Sequence, residues 1–236
     1  MKESQVKKNN YFEYRNIDSS SYENTLLPIW IQNELKSKKV KILDYGCGFG
    51  QNIIAMKKEG YLNVYGVDIE KNAIDYCLTK KMNVKELDLN DLKNPFNIKF
   101  DFILLSHVIE HIPKNEIVSV LAFIKKEFLA LNGKLLIAVP NAQSNTDCYW
   151  AYEDWTHTTL FTSGSIYYVL KAAGFKTIEF LDIDCTSENS TIKKIIKKFL
   201  LKIYIINKKF WNKVTSSAYH HPSPQIFSYE IKVKAY

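Results

Sequence analysis

Three of the five histidines in this 236-residue sequence stand where they can meet a carboxylate. His107, Glu110 and His111 are spaced i, i+3 and i+4, so one helical turn would set them on a common face. His157 follows in a long segment rich in aromatic residues. Histidine exchanges its proton near neutral pH, which suits His111 or His157 to take a proton from a hydroxyl in a transition state, with Glu110 beside them. The same residues have a structural reading: Glu110 and His111 brace the turn before Pro113, and His157 pins its loop.

A second group lies earlier. Asp44-Tyr45-Gly46-Cys47-Gly48-Phe49-Gly50 follows a short apolar run, and its glycines let the chain turn tightly and let a ligand approach the backbone. A dinucleotide fingerprint needs G-x-G-x-x-G. Here the third glycine comes one residue early and Gln51 takes its place. Asp44 puts a negative charge in the turn, which repels a pyrophosphate and attracts an ammonium. Asp68 follows the next apolar run, eighteen residues past Gly50. A carboxylate there accepts hydrogen bonds from both hydroxyls of a ribose. Asp88-Leu89 follows the third run and offers a side-chain acceptor and a backbone amide to an adenine edge, with Asp91 as a nearby competitor.

The elements that must hold these groups alternate. Strands are expected at Val40–Tyr45, Asn63–Val67, Asn83–Leu87, Phe100–Leu105, Lys134–Val139 and Phe175–Ile183, and a last, half-exposed strand at Ile226–Tyr236. Helices are expected at Gln51–Glu59, Asn72–Lys81, Pro113 to about Leu131, where Asn132-Gly133 ends it, and Ser163–Ala173. Such alternation makes a parallel sheet wrapped by helices, and ligands gather at the carboxyl ends of its strands.

Composition agrees with one domain: 46% hydrophobic and 24% charged residues exclude wholesale disorder. Cys47, Cys77, Cys148 and Cys185 stand singly, which excludes a zinc ribbon and disfavours a disulfide framework. No apolar run is long enough to span a bilayer, and the polar first ten residues lack the apolar core of a signal peptide. A cytoplasmic protein is expected.

The net charge of +7 is uneven. Eight lysines and no acidic residue lie between Asn189 and Ser228, so the rest of the chain carries −1. A near-neutral body argues against a general nucleic-acid binder. From Thr191 to Val214 the residues Ile192, Ile195, Ile196, Phe199, Leu200, Ile203, Ile206, Phe210 and Val214 form one apolar stripe, with lysines on the other face. Three readings remain open for this helix: packing on its own domain, lying on an anionic membrane, or contact with an anionic substrate. His220-His221-Pro222 reads as a turn approaching the last strand. Tyr149, Trp150, Tyr152, Trp155 and Phe161 in the segment Asn141–Thr162 suit stacking on a sugar or flat ring, or cover for the core edge. Tyr11, Phe12 and Tyr14, with the helix around Trp30, are expected to fold over the ligand as a lid.

These residues together resemble the class I S-adenosylmethionine-dependent methyltransferases. The resemblance rests on the DxGxGxG turn, the acidic residue after strand two, FDFILLSHVIEHIP, LNGKLLIAVPN, and DWTHTTLFT followed by a helix ending in AGF. It implies an α/β Rossmann-like sheet of seven strands with the last antiparallel. The chain then divides into an N-terminal lid (1–38), a cofactor core (39–185), a basic helical insertion (186–225) and a terminal strand (226–236). The resemblance implies that Gly46, Cys47 and Gly48 pass the cofactor's methionine end, beside Asp44 and Gly50. It implies that Asp68 and Ile69 hold the ribose and one adenine face, that Asp88 and Leu89 read the adenine edge, and that Ser106 closes the site by its backbone. S-adenosylhomocysteine would be the product.

The strand-four segment is also similar to the EVIEH segment of small-RNA 3′-terminal 2′-O-methyltransferases and to that of ubiquinone-pathway O-methyltransferases, where carboxylates and histidines bind a divalent ion. The resemblance implies a metal site at His107, Glu110, His111 and His157. His107 replaces the first glutamate, which shifts the preference from magnesium towards manganese, iron or zinc. The VPN and DWTH segments resemble bacterial methyltransferases acting on surface carbohydrates or their phosphate-linked modifications. The expectation is O-methylation of such a glycan or capsule component, with possible contact at the inner membrane surface through the 191–214 helix. The alternatives are a metal-dependent RNA-end or quinone-type O-methyltransferase, a non-catalytic cofactor-binding protein, and, more distantly, a nicotinamide oxidoreductase.

Overall fold

A computed structural model of the chain describes residues 25–88, 93–217 and 225–236. Its strands are β1 (Ile42–Tyr45), β2 (Val64–Asp68), β3 (Val84–Glu86), β4 (Phe100–Ser106), β5 (Leu129–Pro140), β6 (Ile178–Leu181) and β7 (Glu230–Ala235). The helices among the described residues are α1 (Ile29–Gln32), α2 (Gln51–Lys58), α3 (Lys71–Thr79), α4 (Ile117–Glu127), α5 (Tyr149–Glu153), α6 (Ser163–Ala172) and α7 (Thr191–Val214), with a 3-10 turn at Ile109–His111. The strands form one sheet in the order β3-β2-β1-β4-β5-β7-β6. β7 is antiparallel to both β5 and β6, and β1 to β5 pair in parallel. The chain order reverses between β1 and β4, which opens a crevice at their carboxyl ends.

Alternation along the strands assigns two core layers. Leu43, Tyr45, Ile103, Leu105, Leu135, Ile137 and Val139 face one layer, closed by Leu121 and Ile124 of α4 and Ile166 and Leu170 of α6. Ile42, Val64, Phe102, Leu104, Leu136 and Ala138 face the other, closed by Ile53 and Met56 of α2 and Ile74 of α3. Thr162 caps α6: its hydroxyl accepts from the Ser165 amide, and Ser165 reciprocates.

The structure departs from the sequence expectation in one helix end and in the burial of two elements. The helix expected to reach Leu131 stops at Glu127, and Leu129 already pairs with Phe100. Phe128 and Leu129 suit a buried helix face and a buried strand equally, so periodicity alone misplaced the join. The last strand is not half exposed. Ile231, Val233 and Ala235 face the core, and Lys232 and Lys234 on the other face are also buried. Acids make that burial possible: the Lys232 amine lies 2.9 Å from Asp182, and that of Lys234 lies 2.7 Å from Glu179 and 3.1 Å from Glu34. The helix around Trp30 is core rather than lid, since Leu27, Trp30, Ile31 and Leu35 are all buried in the second layer. Tyr11, Phe12, Tyr14 and His220-His221-Pro222 lie outside the described residues.

α7 contradicts the simplest expectation for an amphipathic helix. It has no buried residue, and its half-buried positions are Leu201, Tyr204, Ile205, Lys208 and Asn212. Those share one face at i, i+3, i+4, i+7 and i+11. The apolar stripe therefore points away from the body.

Candidate active site

β1 ends in the turn whose shape the glycines set. Gly46, Gly48 and Gly50 all have positive φ, at 81°, 50° and 78°. At Gly46 a side chain is excluded twice, by the backbone conformation and by space, because a Cβ would meet Val108 Cγ2 at 2.5 Å. The segment after β4 is thus laid directly against the turn. The amides of Gly46 and Cys47 donate to the Val67 carbonyl, that of Gly50 to Cys47, and that of Gly48 to Asp68 Oδ2 at 2.7 Å. These four amides are spent inside the protein, so the turn offers no such cradle to a phosphate.

The carboxylates remain. Asp44 is fully buried; its Oδ1 is 3.4 Å from the Asn52 amide, and its Oδ2 has no hydrogen-bond partner among the described residues. Burial drives its pKa up to about 8, against the Asn52 hydrogen bond and with help from the Asp68 charge. A buried oxygen without a donor is costly, and an ammonium is the group that would relieve it. Asp68, at the end of β2, accepts from the Gly48 and Glu70 amides. It ties the glycine turn to the second strand, and its oxygens retain further acceptor capacity for ribose hydroxyls. Burial also raises its pKa, against those amide bonds. Ile69 follows, with a substantial exposed surface. Asp88 is exposed just beyond β3, and Ser106 ends β4 half-buried. Leu89 lies outside the described residues. A turn with two acids, and with the amides of Gly46, Cys47, Gly48 and Gly50 already bonded, fits a cationic, phosphate-free nucleoside.

A profile of the family described as "Methyltransferase domain" matches residues 11–179.

The chain belongs to the class I S-adenosylmethionine-dependent methyltransferases.

Its cofactor is S-adenosylmethionine, and S-adenosylhomocysteine is the product. A S-adenosylmethionine-dependent methyltransferase of Archaeoglobus fulgidus is 19% identical, with a TM-score of 0.61 over 95% of this chain and 97% of that one. Phosphoethanolamine N-methyltransferase 2 of Haemonchus contortus, solved with S-adenosylmethionine, is 16% identical, with a TM-score of 0.61 over 96% of this chain and 59% of that one. Magnesium protoporphyrin IX methyltransferase of Synechocystis, solved with bound S-adenosylhomocysteine, is 15% identical, with a TM-score of 0.51 over 92% and 80%. At these identities the likeness is one of fold. No protein of curated function matches this methyltransferase significantly in sequence.

Beyond β4 the methyltransferase gathers three of the four residues singled out there. Ligand atoms of Glu110, His111 and His157 lie within 4.8 Å of one another. The Glu110 carbonyl accepts from the Thr158 and Thr159 amides, which clips the DWTHT segment onto the 3-10 turn and brings His157 to His111. The two imidazoles meet edge to face, with centroids 4.8 Å apart.

His107 does not join them. It takes a left-handed conformation, φ 56°, before the 3-10 turn begins. Its Nδ1 lies 3.2 Å from Glu110 Oε1 and its Nε2 lies 2.7 Å from Glu230 Oε1. Burial opposes its charge, but the two glutamates win and raise its pKa to about 10. Both ring nitrogens are engaged by glutamates, and the group of metal-capable atoms that converges among the described residues is Glu110, His111 and His157 without it.

Three residues absent from the sequence expectation complete the site. Glu230 reaches His107 from β7, across 123 positions. The Thr156 hydroxyl donates to Asp154 at 2.6 Å and lies 2.8 Å from His111 Nδ1. A hydroxyl that gives its proton to Asp154 can only accept from His111, so Nδ1 carries the hydrogen and Nε2 presents the lone pair. The D-x-T spacing before His157 held that signal, since aspartate commonly bonds to the residue two positions on. Nothing local could reveal Glu230.

The aromatic segment is mixed. Phe161 is core, while Tyr149 and Tyr152 of α5, and Trp155 after it, are exposed. Asn141, fully buried, binds the Ile226 and Ser228 carbonyls and fixes the approach to β7.

Proposed function

We propose that this methyltransferase acts on oxygen, in a carbohydrate of the bacterial surface or its phosphate-linked modification, with His111 as general base. The observation that carries the reading is the tautomer of His111. Asp154 and Thr156 orient the ring so that Nε2 accepts a proton. Burial, first, and the neighbouring His157 hold its pKa below the usual histidine value, against the charges of Glu110 and Asp154. The imidazole is therefore neutral, and ready as a base, at pH 7. Bound S-adenosylmethionine supplies an electrophilic methyl group. This chain's residues must align an acceptor oxygen with it and receive the proton. A neutral amine acceptor needs no base to unmask its lone pair, so a built base favours a hydroxyl. The exposed rings of Tyr149, Tyr152 and Trp155 supply faces on which a sugar can stack.

The test is transfer of labelled methyl to a panel of surface-glycan fragments, phosphorylated sugars and amines, with the linkage identified by mass spectrometry. Methyl ethers or methyl phosphates are the expected products. Methylamines as the main product would overturn the reading.

One observation favours a second reading. Glu110 Oε2 is buried without a hydrogen-bond partner among the described residues, beside His111 and His157. Two imidazoles and a carboxylate suit manganese, iron or zinc, and would let an ion grip neighbouring acceptor oxygens. Uptake of one manganese ion per chain, lost in a His111→Ala, His157→Ala variant, would move the assignment from base to metal.

A further inference from the structure

α7 is a helix of about 36 Å at 1.5 Å per residue; Ile196 and Leu200, at one edge of its apolar stripe, line a groove against the body, while every residue of the stripe stays at least half exposed. Ile192, Ile195, Phe199, Ile203, Ile206 and Phe210 are each between 50% and 72% exposed. A contiguous apolar strip of this length on a soluble domain marks a contact surface. The helix is tied to the body at a few points. Tyr204 packs edge to face on Phe227 and bonds to Asn145, and the Lys197 amine bonds to the Cys185 carbonyl. The fold holds the helix with the stripe facing outward.

The charges choose the occupant. All eight lysines of the 189–228 segment are on α7, which has no acidic residue. Lys202, Lys209 and Lys213, spaced i, i+7 and i+11, line one border of the stripe, and Lys193 stands on the other. A second copy of α7 laid against the first would bring like-charged borders together. A nucleic acid would neutralise the lysines and leave the stripe in water. An anionic bilayer satisfies both at once: the apolar side chains enter the acyl boundary, and the lysines meet the headgroups. The helix lies on the surface, for no described helix is long and apolar enough to cross it.

We infer that α7 docks this protein on anionic membranes. The inference goes beyond methyl transfer and does not depend on the nature of the acceptor. It has a geometric consequence. A groove of about 590 Å³ runs between α7 and the segment Phe227–Tyr229, which leads directly to Glu230, the partner of His107. Docking through α7 would set this groove beside the membrane surface.

The experiment is co-sedimentation of the full chain with vesicles of phosphatidylcholine alone, or with about 30% phosphatidylglycerol, in low salt. Two variants accompany it: Phe199→Glu with Ile203→Glu, and Lys202→Glu with Lys209→Glu and Lys213→Glu. Unchanged S-adenosylhomocysteine binding serves as the check that the variants fold. The expected result is binding to the anionic vesicles only. It should weaken about tenfold or more in the first variant and on the order of a hundredfold in the second. Absence of binding to anionic vesicles would overturn the inference. So would binding that both variants retain, or a concentration-dependent dimer that the Phe199, Ile203 variant abolishes, which would assign the stripe to a second copy.

Discussion

On the β1–β2 side of the sheet's carboxyl edge, the backbone does most of the building. The turn amides bind the Val67 and Cys47 carbonyls and the Asp68 carboxylate, and the carboxylates of Asp44 and Asp68 keep acceptor capacity for a ligand. On the β4–β5–β7 side, the side chains do it: His111 is oriented by Thr156 and Asp154, and His107 is held by Glu110 and Glu230. The first side has the geometry of a cofactor seat that can be shared by enzymes with many acceptors. The second has the hydrogen-bond order that the proposed base requires. Binding and chemistry should therefore separate under mutation.

His111→Ala is the sharpest test of that separation. It should lower turnover by about 10²- to 10⁴-fold, the usual worth of a general base, and leave S-adenosylhomocysteine affinity unchanged by calorimetry. Because burial holds the His111 pKa below the usual histidine value, wild-type turnover should be flat above neutral pH and fall only on the acid side. A fall in cofactor affinity comparable to the fall in turnover would break the comparison, since the two sides would then be one site.

Asp44→Asn tests the other side, and should act on binding. With a pKa near 8, Asp44 is mostly protonated at pH 7 before the ligand arrives. An incoming ammonium favours the ionised form, so S-adenosylhomocysteine affinity should rise with pH up to about 8 and then level off. The variant should bind about 10- to 100-fold more weakly, the range for a charged hydrogen bond, with that pH dependence removed. Its stability should change in the opposite direction. The unfolded carboxyl ionises near 3.8 and the folded one near 8, so wild type loses stability as pH rises between those values. At pH 7 the variant should be the more stable by on the order of 2 kcal/mol, seen as a higher melting temperature. A variant both weaker in binding and less stable would mean that Asp44 supports the turn and not the ligand.

The two sides also differ in how far the sequence revealed them. The glycine turn, Asp68 and the parallel order of β1 to β5 are governed by local rules: tight turns need glycine, and buried parallel strands are continuously apolar. The convergence of Glu110, His111 and His157 was legible because the ends of β4 and β5 must lie at one edge of the sheet. The fate of His107 was not. The i, i+3, i+4 spacing counts as one face only while the helix is regular, and His107 leaves the regular conformation to reach a glutamate on β7. The lysines of β7 misled for a related reason. Alternation of lysine with valine signals a wet face, and only tertiary structure brings Asp182, Glu179 and Glu34 to neutralise it. For α7 the sequence supplied the helix and both of its faces. Which face turned inward depended on anchor points outside the helix, at Asn145, Cys185 and Phe227, that its own periodicity does not encode.

The His107 bridge gives the smallest and most specific prediction. Its pKa is near 10 in the folded chain and near 6.5 in the unfolded one, so its contribution is complete below about pH 6.5 and disappears as pH rises towards 10. Glu230 responds in kind: burial would raise its pKa, but the hydrogen bond from His107 takes it below the usual range. The variant to compare is His107→Asn, because asparagine tolerates the left-handed backbone found there. With 44% of the His107 side chain open to solvent, water screens the pair, and the gain is about 1 kcal/mol. That corresponds to about 2–4 °C in melting temperature for a domain of this size. The wild type should melt higher than His107→Asn at pH 6 and converge with it near pH 10. A difference that persists unchanged across that range would show that His107 acts by packing alone. It would leave Glu110 and Glu230 to be neutralised by something else, and the metal reading of Glu110 would then gain the most.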